Sequence, residues 1–338
     1  MAHYNARVRI DCSAPTRIDL AGGTFDIWPL YLFHERAQTI NAALSLRASC
    51  TLESRADGRV VLVSEDTGER VEAASAFELT ADQLPLLARL VRLFDASGLT
   101  VTTRSDSPVG AGIAGSSALN IALTKALSVW TGRWTSDAEI LLTAMNVEAQ
   151  VINVPTGAQD YRPALYGGVS AVELDATGVR RVKLDVPPAA LAARIVVAYT
   201  GASRNSGINN WDVMKRRIDG DAAVIAAFDG IRDAAGGMRA ALSTQDWAEA
   251  GRQLDAEWKH RTALAPGVTT PEIDALLSSA RAAGAMAGKV CGAGGGGCLF
   301  CLVPPERKDA VSAALTSGGA NVLACSIDED GVRLTRTA

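Results

Sequence analysis

No uninterrupted apolar stretch of this 338-residue chain reaches the roughly 18 residues that a membrane-spanning helix requires. The opening residues, MAHYNARVRID, carry no apolar core of the kind that leads a secreted protein. Basic residues do not cluster either. The longest such run is Lys215-Arg216-Arg217, and the formal net charge is −4. A general attraction for nucleic acid or for an anionic membrane is therefore excluded as the basis of function. The three histidines, at 3, 34 and 260, show no metal-ligand spacing. Six cysteines stand at 12, 50, 291, 298, 301 and 325. Cys298 and Cys301 form a CxxC, but on an apolar run that reads as a strand, where alternation does not bring the two thiols together. Reduced thiols in a cytoplasmic protein are the expectation.

What is present is ample material for a core: 48% of residues are hydrophobic, and the length suits one large domain or two fused ones. A period of two marks strands at 8–12, 44–52, 59–64 and 99–103. Helical periodicity begins near Ala81 and returns at 116–131, and Ser136 with Glu139 forms a capping box for a helix running through Glu148. Strand-like segments follow at 168–174 and 194–199, then a helix-rich stretch at 209–284, a strand at 289–302, a helix at 305–318, and strands at 321–326 and 331–335. Because the strands alternate rather than running wholly apolar, the pattern predicts an α+β fold with antiparallel or mixed sheets. The break at Val186-Pro187-Pro188 suggests two domains, 1–185 and 186–338.

Three glycine-bearing segments carry the chemical signal. The first, Ser13 to Asp26, places Arg17 and Asp26 on either side of Gly22-Gly23-Thr24 at the end of the first strand. The second runs Pro108-Val109-Gly110-Ala111-Gly112-Ile113-Ala114-Gly115-Ser116-Ser117 directly into a helix. Its glycines allow close backbone approach, and the helix start offers free N–H groups and a positive dipole end, which suit an anion such as a triphosphate. The two serines there could cap the helix or hold a magnesium ion. No lysine follows the last glycine, so this is not a P-loop. The third, Gly292 to Gly297, holds five glycines in six positions. Such a run costs up to about 1 kcal/mol per glycine in backbone entropy, which makes filler a poor explanation. It fits a close approach either to the nucleotide phosphates or to the second segment.

These three segments, in this order, resemble the three motifs of the GHMP kinases (galactokinase, homoserine kinase, mevalonate kinase, phosphomevalonate kinase). Within that superfamily the chain is most similar to the sugar kinases of the heptose 7-phosphate type. That narrower likeness rests on Gly157-Ala158-Gln159-Asp160-Tyr161, Tyr199-Thr200-Gly201-Ala202-Ser203-Arg204 and Glu257-Trp258-Lys259. Phe25 between Thr24 and Asp26, the following Trp28, and Tyr161 after the acidic residue depart from the heptose-kinase pattern.

The resemblance implies a mixed-sheet α/β N-terminal domain, of a kind also found in a ribosomal protein, and a ferredoxin-like α+β C-terminal domain. It implies ATP and Mg²⁺, with Pro108, Gly110, Gly112, Ala114, Gly115, Ser116, Ser117, Gly294 and Gly295 around the nucleotide. Ser117 and Glu148 would hold the metal, Asp160 would act as base, and Arg17 would support it. Asp26, Thr24, Gly23 and Arg204 would meet the sugar, while Arg36, Lys215, Arg216 and Lys259 are further cations for a substrate phosphate. The expected partner is a small-molecule sugar or sugar phosphate, with no nucleic acid and no membrane, and a homodimer is left open. Fucokinase, galactokinase, glucuronokinase, mevalonate or homoserine kinase activity, or a non-catalytic regulator binding sugar and ATP, are the alternatives.

Overall fold

The computed structural model describes residues 8–133, 136–202 and 208–337. Its first half is an antiparallel framework of two long strands, β1 (Arg9–Ala21) and β2 (Ala37–Ser54), joined through a short 3₁₀ turn at Leu30–Phe33. There follow β3 (Val60–Ser64), β4 (Arg70–Ala73), α1 (Pro85–Phe94), β5 (Leu99–Ser105), α2 (Gly115–Thr131), α3 (Asp137–Ile152), α4 (Tyr161–Tyr166), β6 (Val169–Asp175) and β7 (Gly178–Lys183). The second half comprises α5 (Pro188–Ala192), β8 (Ile195–Tyr199), α6 (Ile208–Ile218), α7 (Ala222–Ser243), α8 (Trp247–Leu264), α9 (Pro271–Ala282), β9 (Ala287–Val290), β10 (Cys298–Leu302), α10 (Lys308–Ser317), β11 (Asn321–Leu323) and β12 (Arg333–Thr337).

The larger sheet has the order β12-β1-β2-β5-β3-β4, with β6 and β7 added on the first half of β2. It is mixed, because β3 runs parallel to β5 while the other pairs are antiparallel. The smaller sheet has the order β11-β8-β10-β9, and its chain sequence of strand, helices, two strands, helix, strand is the ferredoxin-like arrangement. A division at residue 185 separates the two sheets with one exception: β12 returns to pair with β1. The expected strand at 289–302 is two strands, β9 and β10, with the glycine run turning between them.

Alternation predicts β1 well only at its start. From Ala14 onward every residue of the strand is buried, on both faces, because α2 covers one side and the smaller sheet shares a core with the other. That shared core runs from Ile18 and Ile40 to Val197 and Phe300. Register shifts between β1 and β2 at Pro15/Thr16 and at Asp19/Ala21 bracket Arg17. Irregularities of this kind re-aim side chains, and they recur beside active sites. The two thiols of the CxxC fall into different core clusters, Cys298 with Phe300 and Cys301 with Leu299 and Val303, as strand alternation requires. No helix among the described residues is long and apolar enough to cross a membrane.

Candidate active site

A cleft of about 370 Å³ opens where the ends of β1, α2 and α4 meet the turn between β9 and β10. Its nucleotide-facing wall is the second glycine segment. Gly110 and Gly112 have φ of 72° and 74°, and Ala114 closes the loop in the same left-handed region as the N-cap of α2. Ala114 has no side chain to cap with, so the first turn of α2 presents its N–H groups uncapped, as an anion site requires. The serines are not caps either. Ser117 Oγ instead donates to the Glu148 carboxylate of α3, 2.8 and 3.1 Å from its two oxygens.

Glu148 is buried and also accepts from the Tyr161 hydroxyl at 2.8 Å. Burial raises its pKa, and the donated hydrogen bonds offset part of that rise. Tyr161, one of the departures from the family pattern, thus has a definite place: it ties α4 to Glu148.

Across the cleft floor lies Asp160, at the N-terminus of α4. Its Oδ1 accepts from Arg17 Nε at 2.9 Å and from Nη2 at 2.6 Å. The Arg17 side chain is 2% exposed and the Asp160 side chain 25% exposed, so the carboxylate keeps an open face toward the cleft. Arg17 also donates from Nη1 to the Gly112 carbonyl at 3.2 Å, and its backbone N–H meets the Ile113 carbonyl at 2.9 Å. One residue therefore fixes the acidic group and the glycine loop relative to each other.

Thr24 and Asp26 line the remaining wall. Asp26 accepts from the Gln159 backbone N–H at 2.9 Å and has no cation partner among the described residues. Burial, then the nearby charge of Asp160, pushes its carboxyl up to about 6. Gly23 does not face the cleft; a side chain there would collide with Asp19 and Arg261 beneath it.

The third glycine run approaches the second segment. Cys298 N–H donates to the Ala111 carbonyl at 2.6 Å, and a Cβ at Gly297 would lie 2.7 Å from that same oxygen, with φ at 80°. Gly292 and Ala293 reach the cleft, whereas Gly294 and Gly295 do not; Gly294 packs on the Val268 backbone.

The sequence reading missed a buried charge cluster. Lys289 Nζ of β9 donates to Asp19 Oδ2 at 3.2 Å and to Glu257 Oε1 of α8 at 2.8 Å, all three side chains being 0% exposed. Arg261, one turn beyond Glu257, donates to the Gly292 carbonyl at 2.5 Å and lines the cleft. Glu257 and Arg261 stand four residues apart, which is also how an ordinary surface pair on a helix is spaced, so nothing in the sequence marked them as buried.

Of the other expected cations, those among the described residues do not join the site. Arg204 lies outside the described residues. Lys215 pairs with Asp219 at 2.6 Å, Arg216 with Asp221 at 2.7 Å, and Arg36 and Lys259 are exposed away from the cleft. Trp28 is 67% exposed, not core.

Two family models match this chain: the GHMP kinases N terminal domain at residues 75–168 and the GHMP kinases C terminal domain at residues 238–321. A D-glycero-alpha-D-manno-heptose 7-phosphate kinase of Campylobacter jejuni subsp. jejuni is 30% identical, across 97% of this chain and 99% of that one. The chain belongs to the GHMP kinase family. As a GHMP kinase it is an ATP-dependent phosphotransferase acting on a hydroxyl group. A mevalonate kinase of Thermococcus onnurineus is 26% identical, across 97% of this chain and 98% of that one. Among solved structures, a D-glycero-D-manno-heptose 1-phosphate kinase from Bacteriodes thetaiotaomicron superposes with a TM-score of 0.78 at 25% identity, covering 97% of this chain and 99% of that one.

Proposed function

We propose that this GHMP kinase moves the γ-phosphoryl group of ATP onto the anomeric hydroxyl of a sugar phosphate of the heptose 7-phosphate class. The observation that carries the reading is the Arg17–Asp160 pair, set on the cleft floor between the uncapped start of α2 and the Thr24–Asp26 wall. The full-length likeness to a heptose 7-phosphate kinase supports the choice of acceptor.

In this reading the triphosphate lies along Gly110, Gly112, Gly115 and Ser116, with its negative charge at the N-terminus of α2. Ser117 and Glu148 are the residues that would hold Mg²⁺. They fit it: two hard oxygen donors already in contact, one of them a buried carboxylate that gains a counter-charge, with remaining positions left for phosphate and water. The ion would supply neutralisation of charge on the phosphates.

Asp26 accepts hydrogen bonds from acceptor hydroxyls and turns one of them toward the γ-phosphorus. Asp160 takes that hydroxyl's proton as the oxygen bonds to phosphorus and the bond to the β-phosphate oxygen breaks, the pair of electrons leaving with ADP. Arg17 holds Asp160 in place and aimed through its two hydrogen bonds. Arg261 is the cation on the described cleft wall, besides Arg17, that is available to a phosphate on the acceptor.

A coupled assay of ADP release tests this with heptose 7-phosphate, free hexoses, mevalonate and homoserine. Heptose 7-phosphate is expected to give the highest kcat/KM. A clear preference for an unphosphorylated sugar would end the sugar-phosphate reading, and a preference for mevalonate would end the sugar reading.

A further inference from the structure

A second cavity, of about 540 Å³, lies against α4 on ground that the cleft does not touch; no residue lines both. Its apolar part comes from Leu141, Leu142 and Met145 of α3, with Tyr166 of α4. Leu142 is 55% exposed, a large apolar side chain with nothing over it.

The polar part is unusual in its charge. Arg162 is 9% exposed, yet its guanidinium donates only to neutral carbonyls, Nη1 to Ala158 at 2.6 Å and Nη2 to Val179 at 3.1 Å. Arg181 donates to the Gly167 carbonyl at 2.9 Å and stacks over the Tyr166 ring at 5.1 Å, with its Nε buried and unpartnered. Among the described residues neither arginine has a carboxylate within ion-pairing distance. The neighbouring Arg180 is neutralised by Glu173 at 2.6 Å, and Asp137, at the start of α3, lies against Lys125 and Tyr166 instead. Burial lowers the pKa of both arginines, and for Arg162 the attraction of Asp26, which lies beyond ion-pairing distance, offsets only part of that.

A buried and a half-buried guanidinium without an ion-paired acid are unfavourable until an anion joins them, and their planar forks match phosphate oxygens. We propose that this cavity binds a phosphate monoester with an apolar organic part, the phosphate meeting Arg162 and Arg181 and the organic part covering Leu141, Leu142 and Met145. The site stands apart from phosphoryl transfer, though it shares α4 with Asp160.

The test is calorimetric titration of the full chain with phenyl phosphate, the cleft being saturated with a non-hydrolysable ATP analogue. Binding is expected to persist under saturation and to weaken about tenfold or more in Arg181→Gln, through loss of a charge-assisted contact. Leu142→Glu, a change at an exposed position that the fold tolerates, is expected to weaken it similarly by placing a carboxylate against the apolar part of the ligand. Inorganic phosphate is expected to bind more weakly than phenyl phosphate. Both variants should turn over ATP at the wild-type rate when phenyl phosphate is absent. No binding in the saturated wild type would overturn the proposal, as would equal affinity in both folded variants. Inorganic phosphate binding as well as phenyl phosphate would remove the apolar half.

Discussion

Arg17 and Asp19 stand two apart on β1 and so leave the same face of the strand, yet they enter different kinds of charge assembly. Arg17 pairs with Asp160, whose side chain stays a quarter exposed to the cleft. Asp19 joins Lys289, Glu257 and Arg261 in a cluster whose side chains are 4% exposed at most. Both assemblies are held by close contacts, so contact distance does not separate them. Access does. A carboxylate with one open face can receive a proton from a ligand, whereas the cluster, of which Arg261 alone lines the cleft, keeps its acids closed and serves to hold backbone. Here the cluster holds two pieces of it: the Gly22–Gly23 turn above Asp19, and the Gly292 carbonyl at the mouth of the third glycine run.

The largest expected effect separates the two outright. Asp160→Asn keeps the shape and removes the base, so kcat is expected to fall by about 10²–10⁴-fold, with ATP affinity by calorimetry nearly unchanged. Near-normal turnover in that variant would take Asp160 out of the chemistry. The buried cluster should answer differently. Lys289→Met leaves Asp19 and Glu257 short of a cation in a closed site, and the cost is expected at about 3–5 kcal/mol of folding free energy by denaturant melts. Activity per folded molecule should be much less affected than in Asp160→Asn. A kcat loss equal to that of Asp160→Asn, with unchanged stability, would place the cluster in the reaction.

The same contrast explains what the sequence disclosed. The nucleotide wall is backbone, and close backbone approach requires glycine, so Gly110, Gly112 and Gly115 declare themselves in one line of sequence. The family motif likewise pointed to Ser117, Glu148 and Asp160, and all three reach the cleft. The acceptor wall is made of side chains brought from distant strands and helices. Arg261 lies 244 positions from Arg17 (261 − 17), and the packing of α8 against β9 and β1 brings it to the cleft. Expected cations such as Lys215 and Arg216 stand on a helix with acids of their own nearby, Asp219 and Asp221. The split of 289–302 into two strands was hidden for a related reason: glycine is compatible with either a strand or a turn, and the contact with Ala111 decides it. The return of β12 to β1 is a pairing between chain ends that no local pattern records.

Asp26 sharpens the comparison, because it is buried like the closed cluster and faces the cleft like Asp160, but has no cation paired with it among the described residues. Its carboxyl sits at about 6 against an ordinary 3.8, raised by burial and then by Asp160. An acid whose folded pKa exceeds its unfolded one binds its proton more tightly in the folded chain. Its ionisation therefore costs stability as pH rises from the lower value through the higher, the reverse of a salt-bridged carboxylate. Replacing it with the neutral amide in Asp26→Asn should then stabilise the protein above pH 6, by at most about 3 kcal/mol for a shift of this size. The gain should vanish near pH 4, where the wild-type carboxyl is protonated. The variant should also lose acceptor affinity at pH 8, with KM for ATP little changed, since the ionised group is the one that grips hydroxyls. Denaturant melts at pH 8 and pH 4 decide the matter. An equal change in stability at both values would show that the carboxylate is not held against its own ionisation, and the contrast with the cation-paired carboxylates would fail.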